Sequence, residues 1–370
     1  MTDGLSRVQV QGFASLADVT LEPGRLTVLI GANGSGKSNV LRALKLAPLL
    51  RTRSLQTFVG EAGGASALLH YGPKRTQAIS VSLDFVESGK ANRYSARLGF
   101  AAGDTLIFLD EVVGYQPAEP APMQEHSLGA GHQESRLEEF AGQDMTARSV
   151  RWWLGGLNFF HFHDTSMASP LRTNARVEDN RYLRSDGSNL AAYLWNLQES
   201  TEAEAQTAWR RITGLVRRIA PMVKALQPTP VGAKGKAVRL DWIDDQDQVF
   251  GAHQLSDGTL RAIALVAALA QPTGRLPRFV SIDEPELGLH PAAITILADL
   301  ARSVSHHCQV LLATQSTAFL DHFEPTEVVV CERSGGSTAL RRPDPAELAS
   351  WLEEYSLAEV YDKGVIGGRP

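Results

Sequence analysis

A run of eight residues, Gly31 to Ser38, combines the backbone and side chains needed to hold a phosphate group. It reads Gly-Ala-Asn-Gly-Ser-Gly-Lys-Ser and directly follows the apolar run Leu26 to Ile30. Glycines let backbone N–H groups close on phosphate oxygens, Lys37 reaches the β- and γ-phosphates, and the Ser38 hydroxyl binds Mg²⁺. A helix after the loop would add the positive end of its dipole. The pattern predicts an ATP and Mg²⁺ site formed by Asn33, Gly34, Ser35, Gly36, Lys37 and Ser38.

A pair of carboxylates supplies the chemistry that a bound ATP would need. Asp283 and Glu284 directly follow the apolar run Phe279 to Ile282, at the end of a predicted buried strand. In that position Asp283 can bind Mg²⁺, and Glu284 can orient and polarise the water that attacks the γ-phosphate. On its own, the pair is also compatible with a surface turn stiffened by Pro285. Together with the phosphate loop it predicts ATP hydrolysis, with Glu284 and Lys37 as catalytic residues.

A second anion-binding sequence precedes the acidic pair. Leu255-Ser-Asp-Gly-Thr259 stands before an alanine-rich stretch of strong helix formers, which places Ser256 and Gly258 at a helix N-terminus. In isolation these residues predict only an ordinary helix cap. Two further segments follow the acidic pair, Gly288-Leu-His-Pro291 and Ala313-Thr-Gln-Ser316.

In order and spacing, these segments resemble the motifs of ABC-type ATPases. The resemblance implies that Leu255 to Thr259 is the signature loop, with Asp257 and Thr259 in place of a glycine and a glutamine. It also implies that the signature of one subunit binds the γ-phosphate held by another, in a head-to-tail homodimer around two MgATP. Gln315 stands where these enzymes usually have a switch histidine. An amide can hydrogen-bond the attacking water but takes up no proton near neutral pH, which predicts slow hydrolysis suited to a timed switch.

The full set of motifs resembles a bacterial family of stand-alone ATPases in the RecF, SMC and OLD branch of ABC ATPases. Besides the motifs above, the resemblance rests on Phe160 to Thr165, Asp186 to Leu190, Trp351 to Leu357 and Gly367 to Pro370. Only 218 residues without heptads separate Ser38 from Ser256, so we expect a compact head without the coiled-coil arms of SMC proteins. The 55 residues after Gln315 are too few for the TOPRIM nuclease domain of OLD-type proteins, so we expect any nuclease to be a separate effector.

Composition sets limits rather than a function. The 370 residues are 43% apolar and 21% charged, as in an ordinary globular protein, and the net charge of −5 does not indicate nucleic-acid binding. Cys308 and Cys331 lack metal-binding spacing, which favours a reducing compartment. The N-terminus lacks the pattern of a secretion signal, and no run of about 18 uncharged apolar residues occurs. We therefore expect a cytoplasmic protein without a membrane partner.

One segment departs from the acidic balance. From Ala205 to Leu240 the chain has no Asp or Glu, and its basic residues are Arg210, Arg211, Arg217, Arg218, Lys224, Lys234, Lys236 and Arg239. The four arginines lie on a predicted helix, where Arg210 and Arg217, like Arg211 and Arg218, are about two turns apart. The segment is a candidate DNA-binding surface, while a solvated helix face followed by a basic hairpin would have the same composition.

The expected fold class is α/β, an ABC-type P-loop ATPase head with an antiparallel β meander and a helical lobe inserted between the phosphate loop and the signature. The meander is predicted over Ile79 to Val113, where apolar and polar residues alternate. From Val238 onwards strand-like and helix-like segments alternate, which predicts a parallel sheet covered by helices. We expect three domains, an N-terminal ATPase lobe over residues 1–150, a helical insert over 151–228 and a C-terminal ATPase lobe over 229–370.

These features predict an ATP-driven switch that acts in genome maintenance or defence against phage, with a separate effector such as a TOPRIM-like nuclease. Two alternatives are a nucleotide-gated protein scaffold with negligible turnover and a transporter ATPase subunit, the latter disfavoured by the altered signature, Gln315 and the basic segment. ABC enzymes also place a glutamine between the phosphate loop and the signature. Gln56, Gln77 and Gln133 are all candidates for that position.

Overall fold

The computed structural model describes residues 3–118 and 121–368, which fall into two compact units. One comprises Met1–Asn158, Pro277–Ser281 and Gln309–Pro370, and the other comprises Phe159–Leu276 and Ile282–Cys308. We call them the P-loop unit and the signature unit. The three-domain division at 1–150, 151–228 and 229–370 stays a prediction.

Sixteen strands and twelve helices are found in the described residues. The strands are β1 (Gly4–Phe13), β2 (Leu16–Leu21), β3 (Leu26–Ile30), β4 (Ala78–Glu87), β5 (Lys90–Ala101), β6 (Thr105–Gln116), β7 (Gln124–Gly129), β8 (Leu157–Phe160), β9 (Ala175–Arg176), β10 (Ala225–Val231), β11 (Ala237–Ile243), β12 (Val249–Gly251), β13 (Phe279–Asp283), β14 (Gln309–Thr314), β15 (Val328–Ser334) and β16 (Ser337–Arg341). The helices are α1 (Lys37–Arg51), α2 (Leu55–Glu61), α3 (Ala65–Leu68), α4 (Leu137–Phe140), α5 (Met145–Gly155), α6 (Leu190–Glu199), α7 (Ala203–Ile219), α8 (Asp257–Leu269), α9 (Pro291–Ser305), α10 (Thr317–Leu320), α11 (Pro345–Leu352) and α12 (Leu357–Asp362).

The predicted antiparallel meander is confirmed and is larger than expected. Its six strands lie in the order β2-β1-β4-β5-β6-β7, and every neighbouring pair is antiparallel. In β4 the residues Ile79, Val81, Leu83 and Phe85 are buried and alternate with half-exposed ones. This period of two buries one face of the strand, as expected for an antiparallel sheet with one solvated face.

The predicted parallel sheet is present in the strands that flank the phosphate loop. The sheet has the order β16-β15-β3-β14-β13-β8, and β3 is parallel to both β14 and β15. All five residues of β3 are buried, which explains why four of them are apolar, because both faces of such a strand are covered.

The prediction that the segment starting at Val238 joins this parallel sheet was wrong. It forms β11, which pairs antiparallel with β10, β12 and β9 in a separate four-stranded sheet. An apolar strand pattern identifies a strand but not its partner, and the short connection between β10 and β11 favours a hairpin. β10 has only one partner strand in the sheet, which allows it to contain Pro228 and Pro230 because an edge strand needs fewer backbone donors.

Helix α7 is amphipathic, as the basic segment predicted. Its buried residues are Ala205, Ala208, Ile212 and Val216, and the helix packs against α8 and α9. The predicted DNA-contacting residues Arg210, Arg211, Arg217 and Arg218 are all exposed. The helix therefore places a basic surface on the element that supports the signature helix α8.

Candidate nucleotide-binding site

The phosphate loop connects β3 to α1 in the P-loop unit. Gly36, the residue before the helix, has φ of 111°, a conformation that residues with a side chain rarely adopt. A Cβ atom at this position would also overlap Thr338 Oγ1. Asn33, Gly34 and Ser38 are exposed. The loop thus presents backbone groups and a hydroxyl at the N-terminus of a 15-residue helix, as a phosphate site requires.

Lys37 is almost fully buried although it carries a charge. Its Nζ atom donates hydrogen bonds to the carbonyl oxygens of Gly31 at 2.6 Å and Ala32 at 3.0 Å. These acceptors offset part of the cost of burying an ammonium group and fix the positive charge at the loop. Together with the exposed Ser38 hydroxyl, a hard oxygen ligand, these residues fit a nucleotide phosphate with Mg²⁺.

The hairpin of β15 and β16 supports the phosphate loop through a single carbonyl group. The oxygen of Ser35 accepts hydrogen bonds from Thr338 Oγ1 at 2.9 Å and from Cys331 Sγ at 3.5 Å. Ser35, Thr338 and Cys331 are all buried, and burial raises the pKa of the Cys331 thiol. The backbone of the loop is therefore held from the side of the β15–β16 hairpin.

The acidic pair lies at the end of β13. Asp283 is the last residue of the strand, and both Asp283 and Glu284 are half-buried. Glu284 has φ of 46°, in the left-handed region, and a turn closes behind it with the N–H of Leu287 donating to the Glu284 carbonyl at 3.2 Å. Strained backbone at a non-glycine residue persists only where surrounding structure enforces it, and it clusters at active sites. The backbone that carries Glu284 is therefore fixed in an uncommon conformation at the end of β13.

Ser256 and Gly258 lie at the N-terminus of a helix, as expected, and this helix, α8, begins at Asp257. Ser256 is exposed, and its Oγ atom accepts a hydrogen bond from the N–H of Thr259 at 3.2 Å. Gly258 is half-buried, and a Cβ atom there would overlap the carbonyl oxygen of Gly288. The signature loop is thus in backbone contact with the segment that follows Glu284.

Arg261 makes a second connection between the signature helix and that segment. Its guanidinium donates to the carbonyl oxygens of Leu287 at 2.6 Å, Phe162 at 2.8 Å and His163 at 2.9 Å. Burial lowers the pKa of Arg261, against the charge of Glu284, which raises it. The start of α8, the Glu284 turn and the segment after β8 are therefore joined by hydrogen bonds.

Gln315 directly follows β14 and is exposed. The next residue, Ser316, caps α10 by accepting a hydrogen bond from the N–H of Phe319 at 3.2 Å. The amide is therefore presented between a buried strand and a capped helix, and its catalytic role stays a prediction.

ABC enzymes place a glutamine between the phosphate loop and the signature, and the three candidates for it differ in their surroundings. Gln56 Nε2 donates to the carbonyl oxygens of Leu106 and Gln133, each at 2.8 Å, whereas the side chains of Gln77 and Gln133 are exposed. The hydrogen bonds of Gln56 fix its amide within the P-loop unit, so a contact with nucleotide would require breaking them.

Comparison with known proteins places the chain among ATPases of this architecture. Two solved SMC head domains share the fold. One of them is bound to the C-winged helix domain of ScpA. Its TM-score is 0.58 at 15% identity, and the match covers 94% of this chain and 99% of that chain. The other, with an extended coiled coil and the C-terminal domain of ScpA derived from Pyrococcus furiosus, has a TM-score of 0.60 at 14% identity and covers 95% and 99%. The fold and motifs define an ABC-type ATPase head of the RecF, SMC and OLD branch.

The sequence comparisons identify the family. Residues 26–114 and 158–321 match the family model described as "AAA domain, putative AbiEii toxin, Type IV TA system", and the chain belongs to this family. The OLD nuclease of Thermus scotoductus (strain ATCC 700910 / SA-01) is 37% identical over 97% of this chain and 68% of its own length. RecF of Pseudomonas savastanoi pv. phaseolicola is 51% identical over 49 residues, 13% of each protein. None of the helices in the described residues has the length and apolar character to cross a bilayer.

Sequence reasoning missed Arg172 and Arg261, whose buried guanidinium groups organise the signature unit. Nothing local distinguishes a buried arginine from a surface one, because its acceptors are backbone carbonyls of distant segments. The position of Arg261 within an otherwise apolar helix sequence, Leu260 to Leu269, was the available signal.

The contact between Gly258 and Gly288 leads to a stability prediction. Gly258→Ala should lower the free energy of unfolding by about 1–3 kcal/mol, because the added methyl group must displace backbone rather than a flexible side chain. Gly214→Ala is the matched helical control: nothing lies within 4 Å of a Cβ atom built there, so it should raise stability by about 0.4–1 kcal/mol. Chemical unfolding of both variants measures the difference, and equal stabilities would contradict the close approach.

Proposed function

We propose that the protein is an ATP-hydrolysing molecular switch. Two copies close head to tail around two MgATP, and hydrolysis reopens them. Lys37 and Ser38 hold the nucleotide phosphates and Mg²⁺ with Asp283, Glu284 polarises the attacking water, and Ser256 and Gly258 bind the γ-phosphate held by the other copy. Because Gln315 cannot act as a proton acceptor near neutral pH, turnover is slow.

The observation that carries this proposal is the construction of the signature unit. It holds an exposed serine at the N-terminus of a 13-residue helix, which is the kind of element that can bind a phosphate. That element is tied to the Glu284 turn by the Gly258 to Gly288 contact and by the Arg261 to Leu287 hydrogen bond. A phosphate on Ser256 and the position of a catalytic carboxylate are thereby linked, as a switch requires.

The experiment measures phosphate release and molecular mass on the wild-type protein. With MgATP we expect slow phosphate release. With Mg²⁺ and a non-hydrolysable ATP analogue in place of ATP we expect a doubling of mass by light scattering, and without nucleotide we expect a monomer. Dimers that form with ATP but release no phosphate, with or without DNA, would favour a nucleotide-gated scaffold. Turnover by a persistent monomer would exclude the signature in trans.

We propose further that the switch acts on DNA and that helix α7 contacts the DNA. The proposal is supported by the relatives, an OLD nuclease and a DNA replication and repair protein RecF, and by four exposed arginines on one helix. None of the four is ion-paired within the described part of the chain; Arg211 Nη2 donates to the neutral Ser303 Oγ at 3.0 Å. Since α7 packs on α8 and α9, bound DNA would press on the helices next to the signature and the Glu284 turn.

The salt dependence of DNA binding tests this surface. Replacing Arg210, Arg211, Arg217 and Arg218 by Gln should make the slope of log affinity against log salt shallower by about 3–4, because each phosphate contact releases about 0.9 counterion. The control replaces four exposed basic residues of the P-loop unit, Lys74, Lys90, Arg97 and Arg333. An equal loss of slope in both variants would show that net charge, not α7, governs binding.

We also propose that the ATPase acts with a separate effector, such as a TOPRIM-like nuclease, in genome maintenance or defence against phage. The support is the similarity to an OLD nuclease and the toxin named in the family description. Affinity capture from cells producing the Glu284→Gln protein, which should hold the ATP-bound dimer, tests this. If no protein is captured with ATP that is absent without ATP, the proposal of a separate effector is contradicted.

A further inference from the structure

Arg172 lies at the end of a 3-10 turn, Pro170–Arg172, outside every motif of the nucleotide site. Its side chain is only 5% exposed. The turn is itself fixed, because the buried Ser169 caps it by accepting from the N–H of Leu171 at 3.2 Å and donates from its Oγ to the Asp164 carbonyl at 2.6 Å. The guanidinium is therefore presented from a defined position.

The acceptors of Arg172 surround the signature serine. Nη1 donates to the carbonyl oxygens of Ala252 at 2.6 Å and Leu255 at 3.1 Å, and Nη2 donates to Asp257 Oδ1 at 2.7 Å. Leu255 and Asp257 are the residues immediately before and after Ser256. One planar group thus holds the chain on both sides of the serine, while Nε is bound to the Thr165 carbonyl at 2.9 Å.

The same contacts explain why the signature loop contains an aspartate. A buried guanidinium is costly unless its donors are satisfied and its charge is balanced, and Asp257 is the ion-pair partner of Arg172. The Asp257 side chain is 71% exposed, so the ion pair joins a buried cation to a surface anion. Asp257 therefore connects the signature loop to Arg172 through this ion pair.

We propose that Arg172 is the positioning residue of the signature, which places Ser256 to receive the γ-phosphate bound by the other copy. This inference rests on the proposed head-to-tail switch. Arg172 touches no reacting atom; it sets the geometry of the loop through three carbonyl groups and Asp257. Lysine cannot replace it, because a compact ammonium group has no planar fork with which to bridge separated acceptors.

A mixing experiment tests the positioning role. Arg172→Lys should bind a fluorescent ATP analogue as the wild type does, because the phosphate loop is unchanged, but release phosphate at least about tenfold more slowly, as for a mispositioned transition-state contact. Mixed with an equal amount of the Glu284→Gln protein before ATP is added, it should regain a rate at least about twofold above either variant alone, since half of the dimers are mixed and each of these has one intact composite site.

Controls separate this inference from the proposed function. Ser256→Ala mixed with Glu284→Gln should recover in the same way, and Arg184→Lys, which loses only an exposed ion pair with Asp179, should turn over ATP like the wild type. Wild-type turnover by Arg172→Lys would overturn the positioning role, as would a loss that mixing does not restore. A wild type without ATP-dependent dimers or phosphate release would instead overturn the proposed function itself.

Discussion

The Glu284→Gln protein is expected to release phosphate about 10²- to 10⁴-fold more slowly than the wild type while retaining its affinity for MgATP. Glutamine matches glutamate in size and keeps an acceptor oxygen, but it cannot polarise a water molecule as a carboxylate does. Because glutamine differs from glutamate chiefly in its charge, the change isolates the contribution of the carboxylate. With hydrolysis blocked, MgATP should give a stable dimer, seen as a doubled mass by light scattering.

A neighbouring carboxylate provides the comparison. Asp299→Asn removes one negative charge from an exposed position on α9, in the helix that follows the Glu284 turn, and should leave both phosphate release and mass unchanged. Wild-type rates from Glu284→Gln would mean that another group activates the water. A slow but strictly monomeric Glu284→Gln protein would instead argue against two nucleotides shared between two copies.

Lys37→Ala should weaken ATP binding by at least about 30-fold, or about 2 kcal/mol, because a fixed and largely buried positive charge facing the phosphates is lost. Titration with a fluorescent ATP analogue measures the effect. Lys45→Ala is the control, since Lys45 lies on the same helix α1 two turns further on and is outside the phosphate loop.

Loss of Lys37 also removes the donor to the Gly31 and Ala32 carbonyls, so thermal unfolding must accompany the titration. A folded Lys37→Ala protein with normal ATP affinity would show that the loop binds nucleotide through its backbone alone. Because ATP occupies its phosphate loop less, this variant should also need at least about 30-fold more ATP to form the ATP-dependent dimer.

The parts of the site that sequence predicts are those encoded by neighbouring residues. The phosphate loop and the Ser256 cap are local: their geometry follows from a glycine that tolerates φ of 111° and from a serine whose hydroxyl meets a backbone N–H three residues later. The alternating pattern of β4 likewise predicts a one-sided strand. Each of these depends on only a few consecutive side chains.

The parts that sequence did not predict depend on distant segments. The alternation of apolar and charged residues in β11 predicts a strand but does not name its partners, and the pairing with β10, β12 and β9 places it outside the parallel sheet. Arg172 reaches acceptors about 80 residues away, at Ala252 and Leu255, which no local pattern encodes. The Asp257 substitution in the signature could be noticed from the sequence but explained only through that contact.

The hydrogen bond from Cys331 to the Ser35 carbonyl places a thiol next to the phosphate loop, where its chemical modification can be measured. Cys308 and Cys331 are the only cysteines of the sequence, and both are buried. A thiol-specific reagent can reach the buried Cys331 only when the structure around β15 opens, and Cys308 serves as an internal reference in the same chain. The rate of Cys331 modification therefore measures how often this region next to the phosphate loop opens, and the slowing of that rate by ATP gives the free energy with which nucleotide stabilises its closed state.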